Sequence, residues 1–232
     1  MIRISASLIK DILTCTQRGY YRTNFPEQSM STAEMTLGNV VHRAIELYWN
    51  DEDRAVELAR DLGMRREVDA DKAVELTLNF FTHFKSLCSP MDEIEKEFDL
   101  PFYDDVHLVG KLDRVDATLG TVIDWKTTKK PPASIYNDIQ FIVYHYAFSR
   151  LYGREPTLVA YASLTTGKLI PYAKVEHYYE ETLNEIIPRV VNTIKSGHHS
   201  RDGLYGMWDA KHGMSYSCYY CPFREFCWQE VE

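Results

Sequence analysis

Residues 122 to 130 read VIDWKTTKK. The run opens as a buried strand and then sets Asp124 and Lys126 where apolar side chains belong. Asp and Lys are almost never fully buried without a partner. Side chains alternate along a strand, so Asp124 and Lys126 share a face and Trp125 points the other way. The preceding segment, GKLDRVD, carries Asp113 and Asp116 on opposite faces. A two- or four-residue loop about Leu119–Gly120 makes facing residues sum to 239 and sets Asp113 across from Lys126, on the face of Asp124. A three-residue loop sends Asp113 to the other face. The plain reading is a buried Asp–Lys ion pair, which adds little net stability. The chemical reading is metal-assisted phosphodiester cleavage. Hard carboxylate oxygens hold Mg²⁺ or Mn²⁺, the ion acidifies water and neutralises phosphate charge, and a lysine orients the water or steadies the transition state.

A second constellation lies at the far end. Cys218, Cys221 and Cys227 form C-x2-C-x5-C, with Pro222 after the second. Three thiols so close in a reducing compartment indicate a metal site. A tetrahedral ion or a cubane cluster needs a fourth thiolate, and the chain offers Cys15 and Cys88. The ligands alone leave Cys₄ zinc open, although the long gap to Cys15 is poor zinc-finger spacing.

The chain that positions these groups has 232 residues, 45% hydrophobic and 26% charged, which suits an ordinary globular protein. Met1 is followed by IRISASLIKD, with no apolar leader, and no apolar run is long enough for a membrane span. The expectation is a cytoplasmic, reducing setting, in which five cysteines are not a disulfide framework. The net charge of -8 confines any nucleic-acid contact to a local basic patch.

The pattern predicts a short helix over SASLIKDILTCTQRGYYR with Ser7 as N-cap, and one or two amphipathic helices over residues 34 to 61. It continues with a helix over 71 to 88, ending near Cys88, and a strand through EIEKEFDLPF up to Pro101. The hairpin of Asp113 and Asp124 follows. NDIQFIVYHYAFSRLYG reads as a helix with an Ile139, Val143, Tyr146 stripe and Gly153 as its stop. A second hairpin turns at Thr166–Gly167, and a helix over 180 to 196 contains Pro188, a residue that can kink it. Residues 197 to 217 read as loop. Helices around a small sheet make the fold class α/β (α+β).

GKLDRVD…VIDWKTTKK resembles the PD-(D/E)XK nuclease superfamily, and within it the RecB-like exonucleases. GNVVH, Gly38 to His42, is similar to the family's G-x-x-x-H helix, and QFIVY, Gln140 to Tyr144, to its Q-x-x-x-Y helix. The resemblance implies a restriction-endonuclease-like core with a small mixed sheet flanked by helices. It implies His42, Asp113 and Asp124 as ligands of Mn²⁺ or Mg²⁺, Lys126 as the catalytic lysine, and Gln140 and Tyr144 as residues placing the scissile strand. Lys129 and Lys130 are read as DNA phosphate contacts or as a solvated strand end, and Arg18, Arg22 and Arg43 as further candidates without a location. Glu97 reads as structural. LTCTQRGYY resembles the N-terminal part of RecB-like nucleases with an iron–sulfur cluster, although Thr16 stands where they usually have proline. That implies Cys15, Cys218, Cys221 and Cys227 as ligands of one [4Fe–4S] cluster joining the two ends of the chain, and leaves Cys88 a free core thiol.

The expectation is therefore one nuclease domain over 1–232. Its parts are a helical region over 1–90, a catalytic core over 91–196 and a cysteine-rich segment over 197–232 that packs on the N-terminal helix. The implied activity is a metal-dependent exonuclease on single-stranded DNA or single-stranded ends, often working 5′ to 3′. Two alternatives stay open: an end-trimming subunit with a protein partner in a recombination or CRISPR adaptation complex, and a zinc-ribbon nucleic-acid binder without activity.

Overall fold

The computed structural model describes residues 1–132, 135, 138–172, 178–200, 218 and 221–229. In chain order the elements are β1 (Ile2–Ile4), α1 (Ala6–Thr14), α2 (Thr16–Asn24), α3 (Ala33–Tyr48), α4 (Glu52–Arg65), α5 (Ala70–His83), β2 (Glu93–Tyr103), β3 (Val106–Asp116), β4 (Thr121–Lys126), α6 (Ile139–Tyr152), β5 (Leu158–Ser163), β6 (Lys168–Pro171), α7 (Tyr178–Ser196) and α8 (Arg224–Gln229). The fold is mixed α/β. Its sheet has six strands in the order β1-β3-β4-β5-β6, with β2 also pairing with β3. β1–β3 and β4–β5 are parallel, and β3–β4 and β5–β6 antiparallel. No helix among the described residues is long and apolar enough to cross a membrane.

The chain divides into two compact units, one of residues 1–31, 99–110 and 175–232, the other of 32–98 and 111–174. In the first unit the single helix predicted around Ser7 is two. Ser5, not Ser7, caps α1, its hydroxyl accepting the Leu8 N–H at 3.2 Å. Cys15 then takes an extended conformation, ending α1 and starting α2. The helices pack closely at Gly19, where a Cβ would stand 2.2 Å from Cγ1 of Ile12. A continuous helix cannot fold back on itself in this way, so the break at Cys15 follows from the contact. Met30 N–H bonds to the Pro222 carbonyl at 2.8 Å, and Tyr21 stacks edge-on with Phe226.

The second unit holds the other constellation. Its core gathers Val41 and Ile45 of α3, Leu76, Phe80 and Phe84 from α5 and its end, and Trp125 of β4. The predicted stripe on α6 is only part of what that helix buries: Phe141 through Phe148 are all buried. Gly153 stops α6 with φ +66°, the left-handed conformation that suits glycine. The run 71–88 ends its α-helix at His83 and continues through a 3₁₀ turn, Lys85–Leu87, to Cys88.

The β3–β4 register differs from the expected one by two residues. Asp116 faces Thr121, Val115 faces Val122 and Arg114 faces Ile123, so facing residues sum to 237 and the loop is 117–120. Asp116 fixes the turn, its Oδ1 accepting the Thr118 and Leu119 N–H groups at 2.8 Å each, while Gly120 takes φ +73° as the last loop residue. A shift of two keeps the parity, so Asp113 stays on the face of Asp124 and Lys126.

Arg114 anchors the hairpin's other face. It is 2% exposed and donates to Asp92 Oδ2 at 2.6 Å, to Thr121 Oγ1 at 3.1 Å and to the Leu87 carbonyl. Removing one partner leaves the other charge buried alone. Arg114→Ala is expected to cost about 3–5 kcal/mol in urea unfolding, and adding Asp92→Ala to recover part of that loss. An additive double mutant would show the two groups to be energetically independent.

Candidate active site and metal centre

Helix α3 starts at Thr32, whose hydroxyl accepts the Met35 N–H, and turns Val40, Val41, Ala44 and Ile45 into the core. Gly38 and His42 lie one turn apart. A Cβ on Gly38 would meet Thr127 Oγ1 at 3.3 Å, so the glycine lets α3 come close to the chain just after Lys126. His42 Nε2 lies 2.9 Å from the Trp125 carbonyl and, as an N–H, donates to it. That bond fixes the tautomer and leaves Nδ1 facing Asp113 at 3.5 Å and Glu95 at 3.7 Å. The Trp125 N–H donates to Asp113 Oδ2 at 2.9 Å.

His42, Glu95 and Asp113 each present a ligand atom, and the three atoms lie within 4.8 Å of one another. Imidazole with two carboxylates is a donor set that Mn²⁺ accepts readily. Glu95 is the member that sequence reasoning missed. Regular alternation through EIEKEF treats Glu93, Glu95 and Glu97 alike and does not single out Glu95. In the structure Glu95 has φ +51°, an uncommon conformation for a side-chain-bearing residue, and it breaks the alternation. Glu97 is exposed and pairs with Lys111 at 3.4 Å. Only the density of acids in the segment hinted at the role.

Asp124 is 1% exposed and stands outside that trio. Its Oδ2 is 2.6 Å from Lys126 Nζ. Its Oδ1 accepts from Gln140 Nε2 at 2.9 Å and from the Tyr144 hydroxyl at 3.1 Å, and Gln140 also donates to Tyr144 at 2.7 Å. The Q-x-x-x-Y pair therefore grips the carboxylate, and Tyr144, 5% exposed, is buried with it. Asp138 caps α6 and sets the pair one turn apart, its Oδ1 accepting the Gln140 N–H.

The electrostatics follow from burial. Burial raises the Asp113 carboxyl above its usual range and nearby Asp124 adds to it, while His42 and Lys126 pull it down. Burial depresses the His42 imidazolium, but Asp113, Glu95 and Asp124 outweigh it and carry it up to about 9. Lys126 is likewise opposed by burial and raised by Asp124 and Asp113, so it stays charged. Burial and the carboxylates of Asp124 and Asp113 raise the Tyr144 phenol, keeping it a donor.

A cleft of about 890 Å³ opens over His42, Glu95, Asp113 and Lys126. Lys129 and Arg43 line it; Lys130 is exposed but is not among its lining residues. Arg18 and Arg22, candidates for phosphate contact, instead pair with the buried Asp11 in the first unit. Cys15, Cys218, Cys221 and Cys227 also belong to that unit, all half-buried. Burial raises the Cys15 thiol, with smaller contributions from Cys221 and Cys218, and burial raises Cys221, with contributions from Cys218 and Cys227. Among the described residues no three thiols present their sulfurs within 4.8 Å of one another. Cys88 lies in the other unit, where burial pushes its thiol up to about 11.

The metal-free site has a definite pH signature. The raised imidazolium of His42 stabilises the fold fully below pH 6.5, and that contribution disappears as pH rises through about 9. The raised Asp113 carboxyl costs stability as pH climbs above its ordinary range. Binding a cation requires His42 neutral and Asp113 ionised, so it releases protons. Saturating Mn²⁺ is expected to raise the melting temperature by about 5–10 °C at pH 8. The shift should be smaller at pH 6 and absent in Asp113→Asn, measured by scanning fluorimetry. An equal shift in the variant would place the cation elsewhere.

The profile of the PD-(D/E)XK nuclease superfamily matches residues 3–228. No curated protein is significantly similar to the chain. Among solved structures, that of SSO0001 is 15% identical, with the match covering 97% of this chain and 85% of that one at a TM-score of 0.47. The family match spans nearly the whole sequence and includes both arms of the acidic hairpin, and the chain belongs to the PD-(D/E)XK nuclease superfamily.

Proposed function

We propose that the chain is a metal-dependent DNA exonuclease acting on single-stranded DNA or single-stranded ends, with a structural [4Fe–4S] cluster on Cys15, Cys218, Cys221 and Cys227. The observation that carries the nuclease reading is the convergence of His42, Glu95 and Asp113 beside Lys126 in an open cleft. His42, Glu95 and Asp113 would hold a divalent ion, which would neutralise charge at the phosphate and acidify water. Lys126 brings its ammonium to the phosphate oxygens as negative charge builds there. Asp124 holds Lys126 in place, and Gln140 and Tyr144 hold Asp124 in turn.

The cluster reading draws support from the thiols. Cys15 lies close enough to Cys221 and Cys218, and Cys221 close enough to Cys218 and Cys227, for these neighbours to raise their thiols. The cluster's role is that of a staple between the first helices and the last segment.

Protein purified without oxygen is expected to contain iron rather than zinc, and to degrade end-labelled single-stranded DNA with Mn²⁺ or Mg²⁺ faster than duplex. Lys126→Ala is expected to slow cleavage about 10²–10³-fold. No cleavage by the correctly metallated wild type would sink the free-standing exonuclease.

A further inference from the structure

Six lysines and arginines lie on helices α3 to α5 and the turn between the last two. Five are engaged: Arg43 with Glu46, Arg54 with Asp51, Arg60 with Asp71, Arg65 with Asp61 and Lys72 with Glu75. Arg66 has no ion pair among the described residues, in a chain where 34 acids outnumber 26 bases. It is also exposed and lines the cleft of the metal trio.

The backbone beneath Arg66 is fixed. It ends α4, its N–H bonding to the Leu62 carbonyl at 3.0 Å, and Glu67 follows with φ +55°. Val68 N–H returns to the Gly63 carbonyl at 3.0 Å, and a Cβ on Gly63 would stand 2.8 Å from the Ala70 Cα, so the turn is closed tightly. A free guanidinium on a rigid mount, facing a cleft, is suited to an anion that arrives from outside. The cleft has the charge to match. Of the five lysines and arginines in its lining, Arg43, Lys72 and Lys126 pair with Glu46, Glu75 and Asp124, which among the described residues leaves Arg66 and Lys129 to meet an incoming anion. The protein as a whole carries -8.

Resting on the nuclease reading, we propose that Arg66 binds a backbone phosphate of the bound single strand, away from the scissile bond. It is a binding residue and takes no part in the bond-breaking step. The planar guanidinium can hold two phosphate oxygens at once.

The test is equilibrium binding of a fluorescein-labelled oligothymidylate, with Ca²⁺ in place of Mn²⁺, across a salt series. Arg66→Ala is expected to weaken binding about 5–10-fold and to reduce the slope of log affinity against log salt by about 0.7, one phosphate contact on a single strand. With Mn²⁺, the same variant should raise KM at nearly unchanged kcat. Arg66→Lys should recover part of the affinity, and Arg60→Ala, outside the cleft lining, should behave as wild type. Wild-type affinity and slope in Arg66→Ala would overturn the assignment while leaving the nuclease intact. A wild type that neither binds nor cleaves the strand would overturn the nuclease reading itself.

Discussion

Two carboxylates buried on neighbouring strands set the terms for the second unit. Asp113 and Asp124 are 7% and 1% exposed, and the Asp124 charge adds to the cost of ionising Asp113. A fold selected for stability alone would place apolar residues here, since buried charges seldom repay their desolvation. The surrounding structure instead divides the charge. His42 and Glu95 join Asp113, while Lys126, Gln140 and Tyr144 take Asp124. One carboxylate is left facing the cleft and the other is tied down. A cation held by the candidate trio would relieve the first without disturbing the second.

Much of this was legible because strands have a strict period. DWK places an acid and a lysine on one face whatever the fold, and any odd facing sum brings Asp113 to them. The exact register was not legible. It depended on Asp116 accepting two turn amides through its side chain, a local bond that strand periodicity does not report. Glu95 escaped for a related reason: its left-handed backbone steps out of the alternation on which the strand was read.

The helices show the same contrast. One turn of spacing was enough to put Gln140 beside Tyr144 and Gly38 beside His42. It did not show which group each pair would meet. Gln140 and Tyr144 bond to the Asp124 carboxylate because α6 is buried on nearly every face and its polar side chains must find partners inside. Arg66 had no motif around it. Its isolation became visible only when the pairs made by its neighbours were known.

The peptide of Trp125 serves both halves of this arrangement. Its carbonyl receives His42 and its N–H is given to Asp113, while its indole is wedged against Phe80 and Phe84 from α5 and its end. The candidate metal ligands and the hydrophobic core thus share a single rigid part, and they cannot drift independently. A change in the aromatic layer, remote from any substrate, re-aims two ligands together and in a correlated sense. Replacing Phe80 or Phe84 is therefore a change to the chemistry as much as to the scaffold.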